Sequence, residues 1–165
     1  MKQKSLHIIF TVLALLCVTT LSAQKMPERG LVREGNEQFR RRNFYNSLNR
    51  YNEALEHAPG SYEALYNRAN AYMHLMFSNP QDSTLKPEVS NEYFEKIANN
   101  QYLSSEQRAE VLRNLGESLF SEQKYEAALN AFRESLLLNP ADKETKYDYV
   151  LTKRIVDQKR SQPQQ

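Results

Sequence analysis

The chain has 165 residues, enough for one domain, with 22 lysines and arginines against 20 acids, three histidines and a single cysteine. A formal charge of +2 without a basic stripe excludes the electrostatic footprint of a nucleic-acid-binding surface. One cysteine excludes a disulfide framework within the chain.

Lys2 and Lys4 precede an apolar stretch from Leu6 to Leu21, and Ser22-Ala23-Gln24 offers small residues for cleavage after Ala23. A membrane span needs about 20 apolar residues, so this stretch predicts a secretory signal peptide over 1–23. The alternative is an uncleaved N-terminal anchor. The expected location is the periplasm, with attachment to the inner membrane only through an uncleaved N-terminus. Removal takes two lysines and no acid, leaving 20 basic residues against 20 acids in a neutral mature chain. Cys17 leaves with it. Leu16 stands where a lipoprotein needs a small residue, and apolar sequence continues past the cysteine, both of which argue against lipidation.

The remainder is a repeat. GNEQFRRRNFYNSLNRYNEALEHAP (35–59) aligns without a gap with GESLFSEQKYEAALNAFRESLLLNP (116–140). Gly35 falls on Gly116, Phe39 on Phe120, Leu48 on Leu129, Tyr51 on Phe132, Leu55 on Leu136 and Pro59 on Pro140. A third copy lies between them, with Ala69 in the glycine slot, Leu65 in that of Leu112 and Phe94 in that of Tyr51 and Phe132. Gly35 to Ala69 is 34 residues, while Ala69 to Gly116 is 47. The 13 extra residues predict a loop at about 78–86 and a longer exit at about 99–105. Each unit reads as two antiparallel helices, near 28–41 and 44–57, 62–77 and 87–99, 106–121 and 125–138. A seventh helix follows at 142–158, its Tyr147, Val150, Leu151 and Ile155 forming an apolar stripe at helical spacing. The tail 159–165 is polar and is expected to be disordered.

A small residue, an aromatic four on, then Ala/Ser, Leu, aromatic, Ala, Leu and Pro resembles the tetratricopeptide repeat (TPR) over about 28–142. The resemblance implies an all-α solenoid of three helix-turn-helix repeats, at about 28–61, 62–105 and 106–141, plus a capping helix at 142–158. The segment LLLNPADKETKYDYVLTKRIVDQKR (136–160), after RNLGESLFSEQKYEAALNAFRESL, is similar to the end of the TPR proteins of the Bacteroides aerotolerance (Bat) group. Glu117 and Asp148 depart from that pattern, which usually has asparagine at both places.

Stacked helical units leave a concave surface that binds other proteins. Residues flanking the small slot should face it: Val32, Asn36, Phe39 and Arg40; Tyr66, Asn67, Asn70, Met73 and His74; Arg113, Glu117, Phe120 and Ser121. Asparagine can bond a peptide backbone, and tyrosine adds area with a polar tip. Some TPR domains hold a chaperone's terminal carboxylates with two asparagines and three cations. Asn36 and Asn67 match the asparagines, but Val32, Glu110 and Asn114 occupy the cationic slots.

No catalytic constellation is found. His57 and His74 lie 17 apart without cysteines nearby, whereas a metal site needs three or four convergent ligands. Phosphate loops, serine elbows and H-E-x-x-H are absent from the sequence. The expectation is a non-enzymatic protein- or peptide-binding scaffold with no cofactor, no metal and no nucleic acid. The Bat resemblance implies an aerotolerance-type envelope assembly, with partners that are membrane proteins carrying von Willebrand A-like domains. The alternatives are a self-assembling homo-oligomer, with Glu34 and Gln38 of the first helix facing a second copy, or a regulatory subunit of an envelope enzyme.

Overall fold

A computed structural model describes residues 26–161; the predicted signal segment 1–23 and residues 162–165 lie outside the described residues. All regular structure among the described residues is helical: α1 Pro27–Arg40, α2 Phe44–His57, α3 Tyr62–Ser78, α4 Pro87–Ala98, α5 Ser105–Ser121, α6 Tyr125–Leu138 and α7 Lys143–Ser161. None of these helices is long and apolar enough to cross a membrane.

Local chemistry sets the boundaries. Pro27 and Pro87 start α1 and α4, where a missing backbone N–H costs nothing. Ser61 caps α3 by accepting from the Ala64 N–H. At α5 the cap is reciprocal: Ser104 Oγ accepts from Gln107 N (3.1 Å) and Gln107 Oε1 accepts from Ser104 N (3.0 Å). Asp142 caps α7, its Oδ1 accepting from the backbone of Glu144 and Thr145.

Two helix ends share one geometry. Arg42 and Gln123 stand at φ 59° and 63°, in the left-handed region. The next residues close six-residue Schellman turns, Asn43 N donating to Gln38 O and Lys124 N to Leu119 O. Left-handed backbone costs a side-chain-bearing residue about 1–2 kcal/mol, and glycine's greater unfolded entropy takes back about half of that. Arg42→Gly and Gln123→Gly are each expected to stabilise by about 0.5 kcal/mol, read as a raised urea midpoint at unchanged slope.

Consecutive helices pack against each other, and α1, α3, α5 and α7 also touch in succession, forming an inner row. Tyr51, Phe94 and Phe132 are fully buried, each behind the small residue of the preceding helix. A Cβ built on Gly116 would lie 2.5–2.9 Å from three atoms of the Phe132 ring, and one on Gly35 would meet the Tyr51 ring as closely. Buried hydroxyls close the remaining gaps: Ser135 Oγ donates to Ala109 O (2.7 Å), and Ser90 and Ser118 share a hydrogen bond of 2.9 Å.

The insertion is stapled at its end rather than open. Tyr72 Oη accepts from Lys86 N (3.0 Å), and Asp82 Oδ1 accepts from Thr84 N and Oγ1. Arg108 closes the exit loop by donating to the carbonyls of Ala98 and Asn100.

Two expectations about the last helix are corrected. Its apolar stripe does not pack: Tyr147, Val150 and Leu151 are 70%, 57% and 36% exposed, and Ile155 is half-buried. The packed face instead carries Thr145, Thr152 and Val156, because hydroxyls bonded within their own turn can be buried; Thr152 Oγ1 donates to Asp148 O. The helix also runs to Ser161, so 159–161 are not disordered. Arg160 makes two 2.9 Å bonds to Glu126, and the Lys159 ammonium lies 4.5 Å from the Tyr125 ring centroid.

Candidate functional site: a groove along the inner row

The inner row encloses an open groove of about 560 Å³ between α1, α3 and α5. Of the predicted residues, Asn36, Phe39, Arg40, Tyr66, Asn67, Asn70, Met73, His74, Arg113 and Glu117 line it. Val32 does not: it is 2% exposed, within the Tyr51 cluster, because its position in the helical turn carries it past the row into the core. Phe120 lines a separate cavity, and exposed Ser121 turns back to bond Ser118 O. Met73 is buried and forms floor rather than rim. Sequence reasoning put Asn114 only in a cationic slot of the clamp, and it missed Glu63 and the hydroxyl end of Tyr51. The 34-residue period was the signal available for Asn114, which stands where Asn67 does in the previous repeat once the 13-residue insertion is allowed for.

Hydrogen bonds between repeats organise the groove wall. Asn67 Nδ2 donates to Asn36 Oδ1 (2.9 Å), which also accepts from Tyr51 Oη (2.7 Å). One repeat on, Asn114 Nδ2 donates to Asn70 Oδ1 (2.7 Å) and lies 2.8 Å from Tyr66 Oη. The two asparagine rungs are equivalent by repeat register. Each spends part of its bonding capacity on the neighbouring helix, which fixes the side chains before any ligand arrives. Burial, with Glu110 nearby, pushes the Tyr66 phenol well above its usual range, so it stays a neutral hydroxyl. Tyr62 stacks on Tyr66 with centroids 5.6 Å apart.

The third rung differs. Glu117 and Asp148 occupy the places of the asparagine pair, 31 residues apart like Asn36 and Asn67. Burial raises the pKa of both carboxyls; Arg113 opposes this, while Glu144 and Asp142 add to it, as does Asp148 in the case of Glu117. Arg113 is shared among Glu144, Glu117 and Asp142 at 3.3, 3.6 and 3.8 Å. At the opposite end, half-buried His74 stacks on Phe44 (5.2 Å) and meets Phe39 edge-on (5.1 Å). Burial and then Arg42 lower its pKa, which favours a neutral ring in an aromatic cluster. No group of three or more metal-ligating side chains occurs among the described residues.

Because Arg113 is already engaged by three carboxylates and Arg40 by Glu37, the groove offers little to an acidic peptide terminus. An acidic C-terminal peptide is expected not to bind in calorimetry; a micromolar dissociation constant would overturn that expectation.

Comparison with known proteins agrees with this architecture. Residues 109–142 match the family model described as tetratricopeptide repeat. No curated protein matches the sequence. Among solved structures, the Sgt2 TPR domain from Aspergillus fumigatus is similar at 21% identity and a TM-score of 0.68, covering 84% of each chain. The first TPR of Spaghetti (RPAP3), bound to the HSP90 peptide SRMEEVD, is similar at 19% identity and 0.66, covering 81% of this chain and 96% of that one. The second TPR domain of human RPAP3, in complex with the HSP70 peptide SGPTIEEVD, gives 18% and 0.60, with 79% and 95% covered. Residues 109–142 are thus a tetratricopeptide repeat by sequence, and the described chain has the tetratricopeptide-repeat fold.

Proposed function

We propose that the protein is a non-enzymatic scaffold that captures an extended peptide segment of a partner protein in the inner groove. The observation that carries this is the pre-bonded wall of Asn36, Asn67, Asn70, Asn114 and Tyr66 along an open groove. Side chains held by their neighbours lose little entropy on binding, and amide groups suit a peptide backbone. The neighbours seen with bound peptides support the same use of the fold. The signal-like N-terminus supports a periplasmic location, and the similarity of residues 136–160 to the Bat group supports an aerotolerance-type assembly with von Willebrand A-like membrane proteins.

The test is cross-linking and co-purification from the native envelope with the tagged full chain, beside Arg40→Glu/Glu63→Lys. Both positions line the groove and neither belongs to the asparagine rungs, so the wall stays intact in the variant. A specific partner lost in the variant is the expected result. Recovery of the chain alone, indifferent to the variant, would overturn the reading.

A further inference from the structure

Between α5 and α7 lies a cavity of about 100 Å³, lined by Phe120, Phe132, Leu151, Thr152, Glu117 and Asp148. Glu117 also lines the main groove, so the two spaces adjoin. We propose, resting on the groove reading, that this cavity is a side-chain subsite for a lysine or arginine of the bound peptide.

Three observations converge on it. The first is register: where the earlier interfaces have a neutral pair in which one amide donates to the other, this one has two carboxylates, neither of which can donate when ionised. A cation between them supplies the missing donors. The second is charge. The groups around the cavity are Glu117 and Arg113 from α5, and Lys143, Glu144 and Asp148 from α7 with its cap Asp142, so acids outnumber cations by four to two. Arg113 is divided among three of those acids, and Asp148 forms no ion pair among the described residues. The third is the wall. Phe120, Phe132 and Leu151 are apolar, and exposed Tyr147 stands beside Glu117 and Asp148 on the outer side. Lysine and arginine combine an apolar stem with a cationic head, matching a greasy wall beside carboxylates. A purely apolar side chain would strip water from the carboxylates without replacing their hydrogen bonds, and an acidic one would be repelled.

The test titrates the full chain with Nα-acetyl-arginine amide and Nα-acetyl-norleucine amide, followed by amide-resolved NMR. Saturable shifts at Glu117, Leu151 and Thr152 are expected with the arginine derivative and at least about tenfold weaker ones with norleucine. Glu117→Gln/Asp148→Asn should abolish the difference. Equal response to both compounds, indifference to the double variant, or no saturable shift would each overturn the subsite. A positional-scanning peptide array separates this from the groove itself. Array binding that is lost in Arg40→Glu/Glu63→Lys but shows no preference for lysine or arginine keeps the groove and removes the subsite. Arginine-derivative binding without any array binding keeps the subsite and removes the groove.

Discussion

Gly35→Ala and Gly116→Ala are expected to destabilise the protein, whereas Gly30→Ala should stabilise it. Gly30 and Gly35 lie on the same helix, so alanine's helix propensity favours both changes by about 1 kcal/mol. At Gly30 a new Cβ meets nothing within 4 Å, and that gain is kept. At Gly35 and Gly116 the Cβ would overlap the rings of Tyr51 and Phe132, which are only 1% exposed and packed within the core clusters. Overpacking of this kind costs about 1–3 kcal/mol, so after the propensity gain the net loss is up to about 2 kcal/mol, or up to roughly 8 °C in melting temperature. Ala69 occupies the same slot ahead of Phe94, so the fold accepts a methyl where helix spacing has been set for it. Thermal melts of the three variants decide the matter: if Gly35→Ala rises with Gly30→Ala, the close crossing is not what selects glycine.

The Glu117→Asn/Asp148→Asn variant should be more stable than the natural chain at pH 7, by about 1 kcal/mol for the recovered side-chain hydrogen bond. The sign follows from the direction of the shifts. Both carboxyls have folded pKa values raised above their unfolded ones, by burial first. The folded state therefore holds these protons more tightly. The contribution is fully present below the unfolded carboxylate range near pH 4 and is lost as pH rises through the higher folded values. At pH 7 the natural chain carries the full penalty of two ionised neighbours, and the variant does not. The advantage of the variant should shrink as pH falls toward 4. Urea unfolding of both proteins across that window measures the difference, and a pH-independent gap would show that the two carboxylates do not titrate against each other.

Much of the fold was legible because its signals are local. The recurrence of Gly35 at Ala69 and Gly116, with Tyr51, Phe94 and Phe132 behind them, acts through a period that needs no knowledge of the packed chain. The stripe on the last helix misled for the opposite reason. Tyr147, Val150 and Leu151 have helical spacing, but Thr145 and Thr152 take the buried face once their hydroxyls are bonded inside the helix. Composition ranks threonine below leucine for burial, and only the packed neighbour shows which face is covered. Val32 misled similarly, since a residue one helical turn from a groove position can point either into the groove or behind it.

The groove divides along the same line. Its residue types, asparagine, tyrosine and arginine at positions flanking the small slot, could be read from the repeat. Their pairing could not. Asn36 meets Asn67, Asn70 meets Asn114, and Glu117 faces the place of Asp148 only because successive inner helices are stacked at one register. The sequence by itself determined the helices, the ends of the first six and the repeat phase, because those depend on backbone geometry and residues a few positions apart. Tertiary structure alone decided which side chains share a rung, which carboxyls are brought together and where a cavity remains, because contacts between helices depend on how closely their small residues let them approach.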